Sequence, residues 1–209
     1  MSRKFSEALL RPNILQSTDN ELILILKEAF EPKRESNFYH AQDEAMKRLY
    51  LVRHAQSSKE GAAFSDRDRP LTDLGRRALE KMAKRLAKRS VEPDLILSSP
   101  ALRTLATAEG IAKKLDYDLK AIVVNERLYA CQADEMLEII RALDDTLKRV
   151  MLVGHNPQLF AMANRLSRKI KCLPTCAVAE FRFAIKSWAE VGEEKPEKTR
   201  LDYPKKAKG

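Results

Sequence analysis

Two of the three histidines in this chain sit in short polar segments, Arg53-His54-Ala55-Gln56-Ser57 and Gly154-His155-Asn156-Pro157. Each segment follows an apolar run of strand type, Leu49 to Val52 for the first and Val150 to Val153 for the second. Two further strand-like runs, Leu95 to Leu97 and Ile122 to Val124, lead into Ser98-Ser99-Pro100-Ala101-Leu102-Arg103 and Asn125-Glu126-Arg127. In an open α/β sheet ligands bind beyond the carboxyl ends of the strands, so His54, His155, Arg53, Arg103 and Glu126 are expected on one rim. Read singly, Arg53 is a surface ion pair, Arg103 an exposed helix charge and His155 a capping or core histidine. Their convergence is what carries chemistry. Two guanidinium forks match phosphate oxygens, and helix starts at Ser99 and Asn156 would add backbone N–H donors and a positive dipole end. An imidazole there acts as nucleophile or acid/base. Surrounding positive charge disfavours imidazolium and keeps such a histidine neutral and nucleophilic. No carboxylate cluster accompanies these residues, which points to phosphoryl transfer without a bound metal.

The elements that must hold these residues follow from the pattern around them. Leu74, Ala78, Leu79, Met82 and Leu86 recur at helical spacing, predicting a helix over about 73–89 with Thr72 as N-cap. Ser99-Pro100 reads as the cap and first residue of a second helix, running to about Leu115. Further helices are expected over 133–143 and from Asn156. Continuous apolar strands alternating with amphipathic helices define an α/β fold, with a mostly parallel central sheet between two helical layers. Ala177 to Phe183 alternates in the manner of an edge or antiparallel strand. The first 47 residues read differently. Thr18-Asp19-Asn20-Glu21 matches a capping box before a helix to about Phe30, and a polar linker carrying His40 follows. The expected organisation is an extension over 1–47, one catalytic domain over 48–204 and a basic tail over 205–209.

Composition removes several classes. The 209 residues are 44% hydrophobic and 33% charged, with 6 Gly and 9 Pro, so a packed core is available and collagen-like or low-complexity chains are out. No apolar run reaches the ~20 residues a membrane span needs, and Pro12 interrupts any signal-like stretch. Three cysteines do not make a disulfide scaffold, and the expected compartment is the cytoplasm. Cys172 and Cys176 lack a neighbouring histidine and do not form a zinc site. The net charge of +9 invites nucleic acid, but aromatics at 6% and the missing recognition motifs argue against it.

The motifs resemble those of the histidine phosphatase superfamily, which has the phosphoglycerate mutase-like fold. Arg53-His54-Ala55-Gln56-Ser57 is similar to its first-histidine motif, and Gly154-His155-Asn156-Pro157 to the second-histidine motif of its SixA-type phosphohistidine phosphatase branch. Asp66 to Gly75 resembles that branch's loop into the first long helix, and Ser98 to Ala108 the segment with a phosphate-binding arginine. The resemblance runs from about Arg48 to Pro204 in the family's order. It implies His54 as nucleophile through a phosphohistidine intermediate, and Arg53, Arg103 and His155 as the clamp on the phosphoryl oxygens. Ser57 is a further candidate donor to phosphate. Glu126 matches the mutases' acid-bearing segment, although the SixA branch does not clearly depend on such an acid. Glu60 stands where the mutases carry a phosphate-binding Asn, which argues against a mutase. The implied function is a phosphatase with no metal or cofactor, acting on phosphohistidine in proteins. Alternatives are a phosphomonoesterase for small molecules or phosphoserine/threonine proteins, and a non-catalytic module that only holds a phosphorylated partner.

Overall fold

The computed structural model describes residues 46–59 and 64–204. The expected helix over 19–30, the linker with His40, Glu60 and the basic tail lie outside the described residues. Strand β1 (Met46–Arg53) starts two residues before the expected domain boundary. It is followed by helix α1 (Asp73–Lys88), strand β2 (Leu95–Ser98), helix α2 (Leu102–Lys114), strand β3 (Val123–Val124) and helix α3 (Ala133–Arg141). Strand β4 (Arg149–Gly154), helix α4 (Gln158–Leu166) and strands β5 (Val178–Ala184) and β6 (Lys198–Asp202) complete the order.

The strands form one sheet in the order β3-β2-β4-β1-β5-β6. β3, β2, β4 and β1 run parallel, while β5 and β6 are antiparallel to their neighbours. Alternation along the buried strands splits the core in two. Val150 and Leu152 of β4 join Leu49 and Leu51 under α3 and α4, with Met136, Ile140, Leu159 and Met162. Met151 and Val153 join Tyr50 and Val52 under α1 and α2, with Leu79, Met82, Leu86 and Ile111. The result is the three-layer α/β/α arrangement, mostly parallel, that continuous apolar strands demand. Among the described residues no helix is long and apolar enough to cross a membrane.

The strand expected over 177–183 as an edge or antiparallel strand is β5, antiparallel to β1. β6 pairs along its outer side, so β5 is interior and buried on both faces over most of its length. β6, with Lys198 and Arg200, had no apolar signal because an edge strand needs little burial. One expectation needs correction: the helix after β2 starts at Leu102 with Ala101 as its uncapped N-cap, two residues later than Ser99-Pro100 suggested. Ser99 is free for another purpose.

Candidate active site

The four parallel strands end on one edge, and backbone bonds knit the segments that follow them. The His54 N–H donates to the Gly154 carbonyl (3.1 Å), Ser99 N–H to Val153 (3.0 Å) and Asn125 N–H to Ser98 (2.9 Å). His54 and His155 thereby face each other, ring centroids 5.3 Å apart, and Tyr129 meets His155 edge-on at 5.9 Å. Arg53 is the last residue of β1, and its guanidinium donates to the Leu173 carbonyl (2.9 Å). Arg103 lies in the first turn of α2, nearly buried, where the dipole's positive end adds to its charge.

The His54 ring has a defined orientation. Its Nδ1 lies 2.8 Å from the Ala55 carbonyl, which can only accept, so Nδ1 carries the hydrogen and Nε2 keeps its lone pair. Burial pushes this imidazole down to about 4, with Arg103, Arg53 and Arg69 adding to the fall against the opposing pull of the Ala55 bond. His155 falls to about 3, again chiefly by burial, then through Arg103 and His54. Both rings are neutral at physiological pH. His155 Nε2 pairs with the Ser99 hydroxyl at 2.7 Å, and its Nδ1 is buried without a partner among the described residues. The Nε groups of Arg53, Arg69 and Arg103 are likewise buried and unpaired. Several buried donors around two neutral imidazoles form an arrangement that an oxyanion with multiple acceptor oxygens would complete.

Sequence reasoning expected Glu126 as the carboxylate on this rim, and a second one is present beside Arg103. Asp66 accepts from Arg103 through both its carbonyl and its carboxylate (3.0 Å to Oδ2), and from the Tyr129 hydroxyl at 2.7 Å. Arg69 approaches the same carboxylate at 3.4 Å. The Tyr129 bond and then Arg103 hold the Asp66 carboxyl below its ordinary range, so it is ionised and orients the arginine rather than supplying a proton. Nothing at Asp66 in the sequence signals this, since Arg103 lies 37 residues away.

The remaining candidates are less central. Ser57 accepts from Arg69 (3.2 Å), which leaves its own hydrogen available to an incoming oxygen. Glu126, in a 3-10 turn over Glu126–Leu128, sits on the exposed rim and accepts from Arg67 at 2.8 Å. Ser99 was read only as a helix cap, and Thr107 was not singled out: Thr107 Oγ1 accepts the Ala55 N–H at 3.0 Å, from 52 residues away. Among the described residues no three His, Cys, Asp or Glu side chains gather to hold a metal.

A family model described as the histidine phosphatase superfamily (branch 1) matches residues 49–138, a span that includes Arg53, His54, Arg103 and Glu126. An uncharacterized chloroplastic protein of Arabidopsis thaliana is 33% identical over 152 residues, 69% of this chain and 70% of its own length. The crystal structure of the provisionally named phosphohistidine phosphatase SixA of Agrobacterium tumefaciens is similar at 31% identity and a TM-score of 0.60. That likeness covers 65% of this chain and 90% of the other. A provisionally named phosphoserine phosphatase 2 of Hydrogenobacter thermophilus is 46% identical over 85 residues, 40% of this chain and 39% of that protein.

Proposed function

This chain belongs to the histidine phosphatase superfamily, in its SixA-type branch, and is a phosphatase; from that premise we propose that it hydrolyses phosphohistidine in protein partners with His54 as nucleophile. The observation that carries this reading is the Nδ1 bond of His54 to the Ala55 carbonyl, which leaves a neutral ring with its Nε2 lone pair exposed to electrophiles. Nε2 attacks phosphorus in line, the N–P bond to the substrate imidazole breaks, and that nitrogen takes a proton. Water then attacks the phosphorylated His54, releasing inorganic phosphate and restoring the neutral ring. Arg53, Arg103 and His155, with Ser57 beside them, hold the three phosphoryl oxygens while their charge redistributes.

The choice of substrate rests on the available acids. Asp66 is held ionised by Tyr129 and Arg103, and the Glu126 carboxylate is engaged by Arg67 on the rim. A serine alkoxide leaving group requires a strong general acid, whereas an imidazole nitrogen is basic enough to be protonated from solvent. Leu102, the residue before Arg103, leaves 45% of its surface exposed, an apolar contact that a protein substrate would cover. Three unpaired cysteines support the reading of a cytoplasmic protein. The likeness to a named phosphoserine phosphatase keeps phosphomonoesters as the second reading.

The test is a dephosphorylation panel of a phosphohistidine protein, a phosphoserine peptide and a sugar phosphate, each with His54→Ala as control. Fastest turnover on the phosphohistidine protein, an acid-labile phosphoryl group trapped on the enzyme, and an inert His54→Ala variant are expected. Preference for the phosphoserine peptide would move the substrate to the second reading. An active His54→Ala variant would overturn the mechanism.

A further inference from the structure

Every polar backbone group of residues 54 and 55 is tied down. The His54 N–H donates to Gly154, the His54 carbonyl accepts from the Cys176 N–H at 3.1 Å, and the Ala55 carbonyl takes His54 Nδ1. The fourth, the Ala55 N–H, donates to the Thr107 hydroxyl at 3.0 Å. The first two bonds are backbone to backbone, and the third uses the nucleophile itself. The Thr107 bond is therefore the one that a side-chain substitution removes without touching His54.

Thr107 is fully buried in α2, and its hydroxyl also lies 2.7 Å from the Arg103 carbonyl one turn earlier. A carbonyl cannot donate, so the hydroxyl hydrogen goes to Arg103 and a lone pair faces Ala55. Back-bonding to the residue four earlier gives a helix little and tends to bend it. Its use here is tertiary. The chain of bonds runs from the Arg103 carbonyl through the Thr107 hydroxyl to Ala55, and from the Ala55 carbonyl to the His54 ring. One side chain thus joins the loop that aims the nucleophile to the helical turn that carries Arg103.

We propose that Thr107 is a positioning residue for phosphoryl transfer. Its hydroxyl anchors Ala55 to α2, keeps the His54 Nδ1 hydrogen on the Ala55 carbonyl, and holds Nε2 in register with Arg103. This rests on His54 being the nucleophile. Without the hydroxyl, the Ala55 N–H is buried with no acceptor and its segment must shift to find one. The carbonyl that fixes the ring then moves with it. Binding of the phosphoryl group through Arg53 and His155 is left in place, so the loss falls on kcat.

The experiment compares Thr107→Val, which keeps the shape and loses the hydroxyl, with Thr107→Ser, which keeps the hydroxyl. Both are made in the full chain and read by kcat and KM on an aryl phosphate. In parallel, the ring ¹⁵N shifts of His54, assigned by their loss in His54→Ala, report the tautomer in the ligand-free protein. For Thr107→Val the expected outcome is a kcat lower by roughly 10–100-fold, the range that a misplacement approaching 1 Å produces, with KM nearly unchanged. Its His54 ring should become a mixture of tautomers, and Thr107→Ser should restore both readouts. A wild-type kcat in Thr107→Val, a single Nδ1–H tautomer retained there, or an equal loss in Thr107→Ser overturns the proposal. If Thr107→Val does not fold, Thr107→Ala is read against Thr107→Ser by the same criteria. The ring spectrum needs no turnover, so a failure of the nucleophile assignment, seen as an active His54→Ala enzyme, is distinguished from a failure of the Thr107 role.

Discussion

Gly75 is where the first helix and the nucleophile loop come closest, and replacing it with alanine should injure stability and catalysis together. It lies in the first turn of α1, where its N–H donates to the Thr72 side chain at 3.0 Å. A Cβ built there would sit 2.0 Å from the Gln56 carbonyl oxygen and 2.9 Å from its carbon. Both are backbone atoms, so no rotamer change relieves the overlap. Opening the oxygen contact to an ordinary separation of about 3.4 Å requires a displacement of about 1.4 Å. The same carbonyl accepts the Thr72 N–H at 3.0 Å, and separation on that scale breaks this bond. Overpacking costs about 1–3 kcal/mol and the lost hydrogen bond about 1 kcal/mol. The better helix propensity of alanine returns about 1 kcal/mol. The net loss is about 1–3 kcal/mol, and at about 2–4 °C per kcal/mol for a domain of this size Tm falls by several degrees.

Gln56 follows Ala55, whose carbonyl holds the His54 ring. A shift approaching 1 Å there should lower kcat roughly 10–100-fold. Calorimetry and aryl phosphate turnover measure the two effects. Gly110→Ala is the matched control: its Cβ would meet the flexible end of Leu79, Cδ2 at 2.6 Å, so repacking should spare turnover. The steric reasoning fails if Gly75→Ala melts like the wild type with unchanged kcat, or if Gly110→Ala loses as much activity.

Three further outcomes follow from the electrostatics. With His54 lowered to about 4, kcat/KM corrected for substrate ionisation should be flat through neutral pH and fall only as pH approaches 4; an acid limb near 6.5 would mean an unperturbed ring. The folded ring binds a proton only near pH 4 while the unfolded one binds near 6.5, so unfolding takes up protons between them. Stability should therefore be full above pH 6.5 and drop as pH falls toward 4, which acid-range melting curves would check. Because guanidinium and imidazole groups supply the positive charge, EDTA should leave turnover unchanged and vanadate should inhibit by occupying the same clamp. Loss on chelation that a divalent ion restores would refute the metal-independent mechanism.

The parts of this molecule legible in its sequence are those encoded locally. Leu49 to Val52 and Val150 to Val153 announce buried parallel strands, and the polar residues after them had to share an edge once the sheet was parallel. Thr72 was recognisable as a cap because its partner, the Gly75 N–H, is three residues away. What stayed hidden depends on distant partners. Ser99 looked like a helix cap, yet its hydroxyl is spent on His155, 56 residues on. Asp66 stood only as the start of a loop resembling the family's, and it takes the folded chain to bring Arg103 and Tyr129 to it. β6 carried no apolar alternation because Lys198 to Asp202 are exposed or only half-buried, so neither face demands apolar residues.

The way the site holds its cations explains why it suits a dianion. A carboxylate is the strongest anchor for an arginine, but it cancels the charge it positions. Arg53 is oriented instead by the neutral carbonyl of Leu173, which also takes the Asn156 side chain at 2.9 Å, and His54 by the neutral carbonyl of Ala55. Neutral acceptors fix geometry and leave the positive field intact. Arg103 and Arg69 share one anionic partner, Asp66, which also accepts from Tyr129. The balance of fixed charge around the two imidazoles remains positive. Burial does most to keep His54 unprotonated and that balance adds to it, while the same charge draws a phosphoryl group toward the proposed nucleophile.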